Sequence, residues 1–262
     1  MFPAERINKI KEILTKSKQI DIASLSEALE VTEVTVRRDL EKLENENFLV
    51  RTHGGAILKE EDSGTAMPSF LEEDPESEKI RDTIGQIASL FVKDNDIVFL
   101  SHGAVNRHIG KNLRGKKNVT VVTNDLTVMF YLASFAPEVR VICPGGELNA
   151  GDFQFTGRGT EAAIKAMHYK LAFIDIDGVS MENGYTVSSI AKSYLVQDVM
   201  AISDKTLAVC DYRRFNANSF VSLGKLSMFR SVISNEQTPE EYKKYYYENN
   251  IQFFSTFDIY RR

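Results

Sequence analysis

The chain has 262 residues, 43% hydrophobic and 26% charged, with a net charge of −5 and two cysteines. That balance suits one large or two unequal soluble domains with a sizeable core. The longest apolar runs, such as Ile97 to Leu100, are far too short to span a bilayer as a helix. The first residues lack the basic-then-apolar layout of a secretory leader, so the cytoplasm is the expected compartment. Cys143 and Cys210 each close an apolar run and read as buried reduced thiols, not as a disulfide or a four-ligand metal site, and no cofactor is expected.

Ile7, Ile10 and Leu14 fall at helical spacing over residues 4 to 17. Ser24, with Glu27 three positions on, reads as a capping box opening a short helix that carries Leu25, Ala28 and Leu29. Thr32 is placed to cap a third helix, with Val36, Leu40 and Leu43 as its inward stripe and Thr35, Arg37, Arg38 and Lys42 available outward. Phe48 to Ile57 reads as two short strands around a glycine-bearing turn.

Three helices followed by such a hairpin make a winged helix-turn-helix, whose partner is a double-stranded DNA operator. The candidate DNA-binding residues are Ser24, Thr32, Thr35, Val36, Arg37, Arg38, Lys42, Arg51, His53, Gly54 and Gly55. Asp39 is acidic on the DNA-facing helix and is expected to be structural, paired with Arg6. Residues 1 to 60 hold six Lys and four Arg against eleven acidic residues, a net −1, so attraction to phosphates has to come from local clusters. Useful affinity then calls for two or more subunits on one DNA, hence a homodimer or homotetramer.

Residues 59 to 75 are acidic and broken by glycine and proline, and read as a linker between a DNA-binding domain over 1 to 58 and a second domain over 76 to 262. Strands are expected at 97–100, 119–123, 139–143, 171–176, 207–210, 231–234 and 251–254. Helices are expected between them at 78–92, 105–114, 126–135, 159–168, 191–204 and 239–249. Continuous apolar strands alternating with helices give an α/β domain with a mostly parallel sheet covered on both faces.

Ligands of such sheets collect at the carboxyl ends of the strands. The loops there carry Ser101, His102, Gly103 and Ala104, then Asn124, Gly145 and Gly146, Asp175, Asp177 and Gly178, and Asp211 and Arg214. With Lys192 these are the candidate effector-binding residues; Asn235 follows the sixth strand. At most one of Asp175 and Asp177 is expected to face a ligand. His102 and His108 lack a third partner at metal-ligand spacing.

Taken together, the residues resemble the DeoR family of bacterial transcriptional regulators over essentially the whole chain. The N-terminal likeness lies in Arg6, Ile10, Leu14, Thr32, Thr35, Val36, Arg37, Arg38, Asp39 and Leu40, and in Arg51-x-His53-Gly54-Gly55-Ala56. The second half matches in Glu78-Lys79, Val121 to Asn124, Gly145-Gly146, Asp177-Gly178 and Asp211-x-x-Arg214-Phe215. This resemblance implies a repressor of a carbohydrate-utilisation operon. It also implies a Rossmann-like C-terminal domain, related in fold to ribose-phosphate isomerase, amino-sugar deaminase and CoA transferase, that binds a phosphorylated sugar as inducer.

The chain departs from the family pattern at several places. Ser101-His102-Gly103-Ala104-Val105 stands where Asp-x-Gly-Thr-Thr is usual, Asp175 where a glycine is usual, and Arg214 where a lysine is usual. Ala191, Lys192 or Ser193 replaces an expected glutamate. His102, Asn106, Arg107, Lys192 and Arg214 offer donors to an anion in a changed arrangement. Glu30 replaces a turn glycine, at about 1 kcal/mol if the backbone there is left-handed.

Two further readings compete. One is a sugar-phosphate isomerase or deaminase with a DNA-binding appendage, which needs a carboxylate and an acid–base partner that Asp175, Asp177 and Asp211 do not supply. The other is a regulator whose second domain only oligomerises, suggested by the altered loop from Ser101 to Val105.

Overall fold

The computed structural model describes residues 3–17, 19–45, 48–52, 54–58 and 71–256. Contacts divide the chain into two compact units, Met1–Ala66 and Met67–Arg262.

The first unit runs α1 (Pro3–Ser17), β1 (Gln19–Asp21), α2 (Ile22–Leu29), α3 (Glu33–Asn45), β2 (Leu49–Arg51) and β3 (Gly55–Leu58). Its core is the helical stripes meeting: Ile10 and Leu14 from α1, Leu25 and Leu29 from α2, and Val36, Leu40 and Leu43 from α3, all buried. Each such side chain contributes about 1.5–3 kcal/mol by leaving water, which is how so small a unit holds together. The expected hairpin is present as β2 and β3. It gains a third strand, β1, so the sheet order is β1-β3-β2, both pairs antiparallel.

The capping box expected at Ser24 and Glu27 is not formed. The helix opens earlier, at Ile22, because the Asp21 carboxylate accepts from the Ser24 backbone N–H at 2.8 Å and from its hydroxyl at 2.7 Å. An anionic acceptor at the cap is stronger than a hydroxyl, so Ser24 becomes a donor in the first turn. Thr32 does precede α3, and its hydroxyl stands 3.4 Å from the Thr35 N–H. Glu30 ends α2 with φ 51° and ψ 44°, the left-handed conformation anticipated there.

The second unit begins with α4 (Pro75–Ser89), β4 (Ile97–Leu100), α5 (Ala104–Lys111), β5 (Thr120–Val122), α6 (Leu126–Phe135) and β6 (Arg140–Ile142). A hairpin of β7 (Glu147–Asn149) and β8 (Gln154–Thr156) follows, then α7 (Arg158–Lys165) and β9 (Leu171–Asp175). Next come β10 (Gly178–Ser180), β11 (Gly184–Val187), α8 (Ile190–Ile202), β12 (Thr206–Val209) and β13 (Val221–Gly224). The described chain closes with β14 (Ser231–Ile233), α9 (Glu240–Glu248) and β15 (Gln252–Phe254).

The seven expected strands form one parallel sheet in the order β15-β14-β12-β9-β4-β5-β6. Both faces are apolar: Val98, Leu100, Phe173, Leu207 and Val209 pack toward α4, α5 and α6, while Phe99, Ala172, Ile174 and Ala208 pack toward α7, α8 and α9. That two-sided burial is why the strands carry unbroken apolar runs. Two elements were not anticipated, the β7–β8 hairpin and a small antiparallel sheet in the order β10-β11-β13.

Chain order and spatial order reverse at the centre. From β4 the chain moves outward through β5 and β6, then returns to place β9 on the other flank of β4. The carboxyl ends of β4 and β9 therefore open into a crevice at a topological switch point, where parallel sheets accept ligands.

Candidate functional site

On α3, the period of the buried stripe sets which residues are presented outward. Thr32, Arg37, Arg38 and Lys42 are exposed and Thr35 is half-buried, with its hydroxyl 3.0 Å from that of Thr32. Val36 was also expected to touch DNA, and this is corrected: it is fully buried, in line with Leu40 and Leu43, and serves the core. Val34, which sequence reasoning passed over, is 68% exposed in the first turn of the same helix. Its signal was available, since it falls outside the apolar stripe. Arg37 stands 3.7 Å from Glu33, but both are about half exposed, so the pairing is screened and leaves the guanidinium available.

Asp39 faces inward and accepts from Arg6 Nε at 2.5 Å and Nη2 at 3.2 Å, as anticipated. On the hairpin, Arg51 lies 3.8 Å from Glu44, Gly54 is exposed, and Gly55 is buried. A side chain at Gly55 would place its Cβ 2.2 Å from the Ile20 carbonyl oxygen, so this glycine lets β1 and β3 approach. His53 lies outside the described residues.

At the crevice of the second unit, β4 ends in Ser101 and turns through His102 and Gly103 into α5. The Ser101 hydroxyl accepts from the Asp175 N–H at 2.9 Å and from Asn106 Nδ2 at 3.1 Å, tying the ends of β4 and β9 together. Gly103 has φ 151°, donates its N–H to Asp125 at 3.1 Å, and leaves no room for a Cβ, which would sit 2.2 Å from the Asp175 carboxyl group. The Asp175 carboxylate accepts from the Val105 N–H at 2.8 Å, in the first turn of α5.

Charges here are matched in pairs. His102 Nδ1 lies 2.7 Å from Asp125. Burial alone would favour a neutral His102 and a neutral Asp125; their contact outweighs it, raising the imidazole pKa and lowering that of the carboxyl group. Lys192, 2% exposed, donates to both oxygens of Asp177 at 3.0 and 2.9 Å. Burial works against the Asp177 carboxylate too, but the Lys192 charge prevails and its pKa falls.

Neither Asp175 nor Asp177, of which at most one is expected to face a ligand, lines the cavity described below, although both carboxylates feel the charge of Lys192. Asp175, fully buried and close to the Asp177 charge, is pushed up to about 6 despite the opposing influence of Lys192 and Arg214.

Asn124 and Lys192 line a cavity of about 20 Å³ with Gln154, Thr156, Thr160 and Glu161, between the β7–β8 hairpin and the head of α8. That is room for about one water molecule. Gly145 and Gly146 support its wall, the Gly145 carbonyl accepting from the Thr160 hydroxyl at 2.5 Å. Larger recesses lie away from the crevice. One of about 490 Å³ is bordered by α4 and the chain after β14 and β15, and includes Asn235. Another of about 430 Å³, with Lys93, Lys170 and Lys205, opens at the opposite end of the strands.

Of the expected effector residues, only Asn124 and Lys192 line the cavity of about 20 Å³. Gly178 is buried within β10, against Thr186 of β11. Arg214 lies in the turn after β12, near enough to influence Asp175. Asp211 is occupied by protein donors, Arg81 Nε at 3.3 Å and Arg213 Nη2 at 2.9 Å.

Sequence reasoning also missed Glu73, which it put in the linker. Leu71 is 1% exposed, and Glu73 receives Arg81 at 2.7 Å and Arg107 at 2.5 Å, with His108 at 3.5 Å. Burial disfavours the Glu73 carboxylate, but the surrounding His108, Arg81 and Arg107 lower it to about 2. Cys210 is buried, whereas Cys143 is half-buried; both are free thiols. Among the described residues no cluster of three or more His, Cys, Asp or Glu is set to hold a metal ion, and no helix is long and apolar enough to cross a membrane.

The chain is 28% identical over 94% of its length to the HTH-type transcriptional regulator GolR of Listeria innocua, covering 96% of that protein. It is 27% identical to the lactose phosphotransferase system repressor of Streptococcus mutans, over 93% of this chain and 96% of that one. Among solved structures, ribose 5-phosphate isomerase A of Methanocaldococcus jannaschii aligns over 53% of this chain and 55% of its own, with a TM-score of 0.38 and 12% identity. Residues 6–62 match the model of the DeoR-like helix-turn-helix domain and residues 76–236 that of the DeoR C terminal sensor domain. With an outward basic face on α3 and a sheet crevice behind it in the sequence, the chain belongs to the DeoR family of DNA-binding transcriptional regulators.

Proposed function

We propose that the protein represses a carbohydrate-metabolism operon and leaves its operator when a phosphorylated sugar or related metabolite enters the crevice between β4 and β9. In this reading residues 1 to 58 read DNA, 59 to 75 connect, and 76 to 262 sense and oligomerise. The observation that carries it is the presentation of Thr32, Arg37, Arg38 and Lys42 outward from a helix whose opposite stripe is fully buried. A helix so divided inserts into a major groove without losing its core. The relative in Streptococcus mutans, named a repressor of a lactose system, supports a sugar-linked operon.

A homodimer or homotetramer in the cytoplasm fits the weak net charge of the DNA-reading part, because two half-sites multiply a modest affinity. No catalytic role is assigned. Asp177, Asp125 and Asp211 each spend their carboxylate on a protein cation.

A mobility shift on DNA upstream of the neighbouring operon tests this. Arg37→Ala should lose about 1–3 kcal/mol at a base it reads, or weaken all sequences alike if it meets phosphate. Equal, sequence-independent binding by both proteins overturns the reading. A second reading, a sensor domain that only oligomerises, draws on the cavity of about 20 Å³, which admits no sugar unless it opens. Absence of any thermal shift with sugars or sugar phosphates favours it, since a ligand at a hundred times its Kd adds about 2.7 kcal/mol.

A further inference from the structure

The head of α5 is where an anion would be received. Its cap residue, Gly103, supplies no side-chain acceptor, so the amides at this helix start are left to outside acceptors, and the Gly103 N–H donates to Asp125 at 3.1 Å. That position is already taken by the Asp175 carboxylate, which accepts from the Val105 N–H at 2.8 Å and packs against Gly103. The cations around it are matched as well. Lys192 is held by Asp177, His102 by Asp125, and the charge of Arg214 acts on Asp175 itself.

Asn124, next in sequence to the Asp125 that holds the Gly103 N–H, lines the cavity. Asn124 is 2% exposed, and its Oδ1 meets no donor among the described residues. The amide cannot simply be turned over, because its Nδ2 donates to the Phe155 carbonyl at 3.0 Å. The Thr160 hydroxyl is spent on the Gly145 carbonyl, and Glu161 adds a negative charge to the lining. A buried acceptor beside a carboxylate calls for a ligand that donates. Sugar hydroxyls donate; a phosphate at neutral pH is chiefly an acceptor and an anion.

We infer that Asp175 is the specificity-determining residue of this sensor: its carboxylate fills the anion seat at the head of α5, so the crevice takes an uncharged sugar or polyol through its hydroxyls and excludes a phosphate. The inference rests on reading the crevice as the effector site of a regulator and, of the two effector classes proposed above, selects the related uncharged metabolite over the phosphorylated sugar.

The test uses the full chain and three forms, wild type, Asp175→Gly and Asp175→Asn, each shown to fold by circular dichroism. Calorimetric titration with inorganic phosphate, against sodium chloride of equal ionic strength, is expected to give at least tenfold tighter phosphate binding by Asp175→Gly than by wild type. Asp175→Asn, which keeps the bulk, should gain far less. A folded Asp175→Gly protein with no gain overturns the inference. Wild type is also titrated with matched pairs, a free pentose, hexose or hexitol and its terminal phosphate ester. Tighter binding of any phosphate ester than of its free counterpart overturns the inference even if a variant fails to fold. Operator binding without ligand is measured separately, so that a protein that never retards DNA sinks the repressor reading while the phosphate titration still decides the role of Asp175.

Discussion

Arg6 on α1 and Asp39 on α3 form a two-pronged ion pair, Nε and Nη2 of the guanidinium meeting the two carboxylate oxygens at 2.5 and 3.2 Å. The carboxylate is 3% exposed and the guanidinium 11%, so the pair ties the DNA-facing helix to the first helix from within. Removing one partner strands the other in a poorly hydrated place. Asp39→Ala is expected to destabilise the N-terminal unit by about 3 kcal/mol. In a double-mutant cycle by thermal unfolding, Arg6→Ala combined with Asp39→Ala should cost clearly less than the two single losses added together. Additive losses would show the pair to be idle.

Val34, exposed in the first turn of α3, presents an apolar surface of the kind that suits a thymine methyl, not a hydrogen-bonding edge. Val34→Ala should weaken binding to the native operator without changing the salt slope of affinity. On an operator in which uracil replaces the contacted thymine, wild type and variant should bind alike. Arg38→Ala, if Arg38 meets phosphate, should lower the salt slope by about 1 and act equally on all sequences.

Stability of the sensor unit should depend on pH through His108, which is fully buried 3.5 Å from Glu73 and 3.7 Å from Asp82. Burial disfavours its charged form, yet the two carboxylates outweigh it and raise its pKa above 6.5. A raised folded-state pKa stabilises fully below 6.5, and that contribution is lost as pH rises through the folded value. Glu73 has the opposite sign: its contribution is present above 4.5 and is lost as pH falls toward about 2. The network is therefore strongest between roughly pH 4.5 and 6.5. Urea unfolding across pH should lose its decline above 6.5 in His108→Gln; an unchanged profile would remove His108 from the account.

Asp175 gives a second pH signature. Its pKa, about 6 in the fold against 3.8 in an unfolded chain, means that stability falls as pH rises from 4 to 6. At neutral pH the cost is on the order of 3 kcal/mol. Asp175→Asn should recover a large part of it and flatten that limb of the stability curve. No gain at pH 7 would count against a buried anion at the head of α5.

Glu30 holds φ 51°, where a side chain is disfavoured and glycine is not. Glu30→Gly is expected to raise stability by up to about 1 kcal/mol, read as a higher thermal midpoint of the N-terminal unit. A lower midpoint would mean that this turn prefers its side chain.

Much of this architecture is legible in the residues themselves, for physical reasons that also mark where reading stops. Val98-Phe99-Leu100 and Leu171 to Ile174 announce themselves because they are buried on both faces. Glu147-Leu148-Asn149 of β7 is exposed along its whole length, and β10 and β11 both begin in glycine, so neither composition nor alternation marks them. The Asp21 cap was hidden because a nearby Ser–Glu pair mimics the usual signature, although a carboxylate is the better acceptor. Val36 was assigned to DNA although its own periodicity with Leu40 and Leu43 put it inside. In the crevice, glycines and polar residues mark the loops at the strand ends. The pairing of Lys192 with Asp177 is not marked, since it depends on how α8 crosses the end of β9.

Glu73 carries a mechanical consequence. It is the third residue after the undescribed stretch, and it grips Arg107, one turn along the helix whose first amides cradle Asp175. Glu73 thus fastens the stretch just before α4 to α5, whose Val105 amide meets the Asp175 carboxylate, so within the second unit a shift at the head of that helix is passed to the chain that enters the domain.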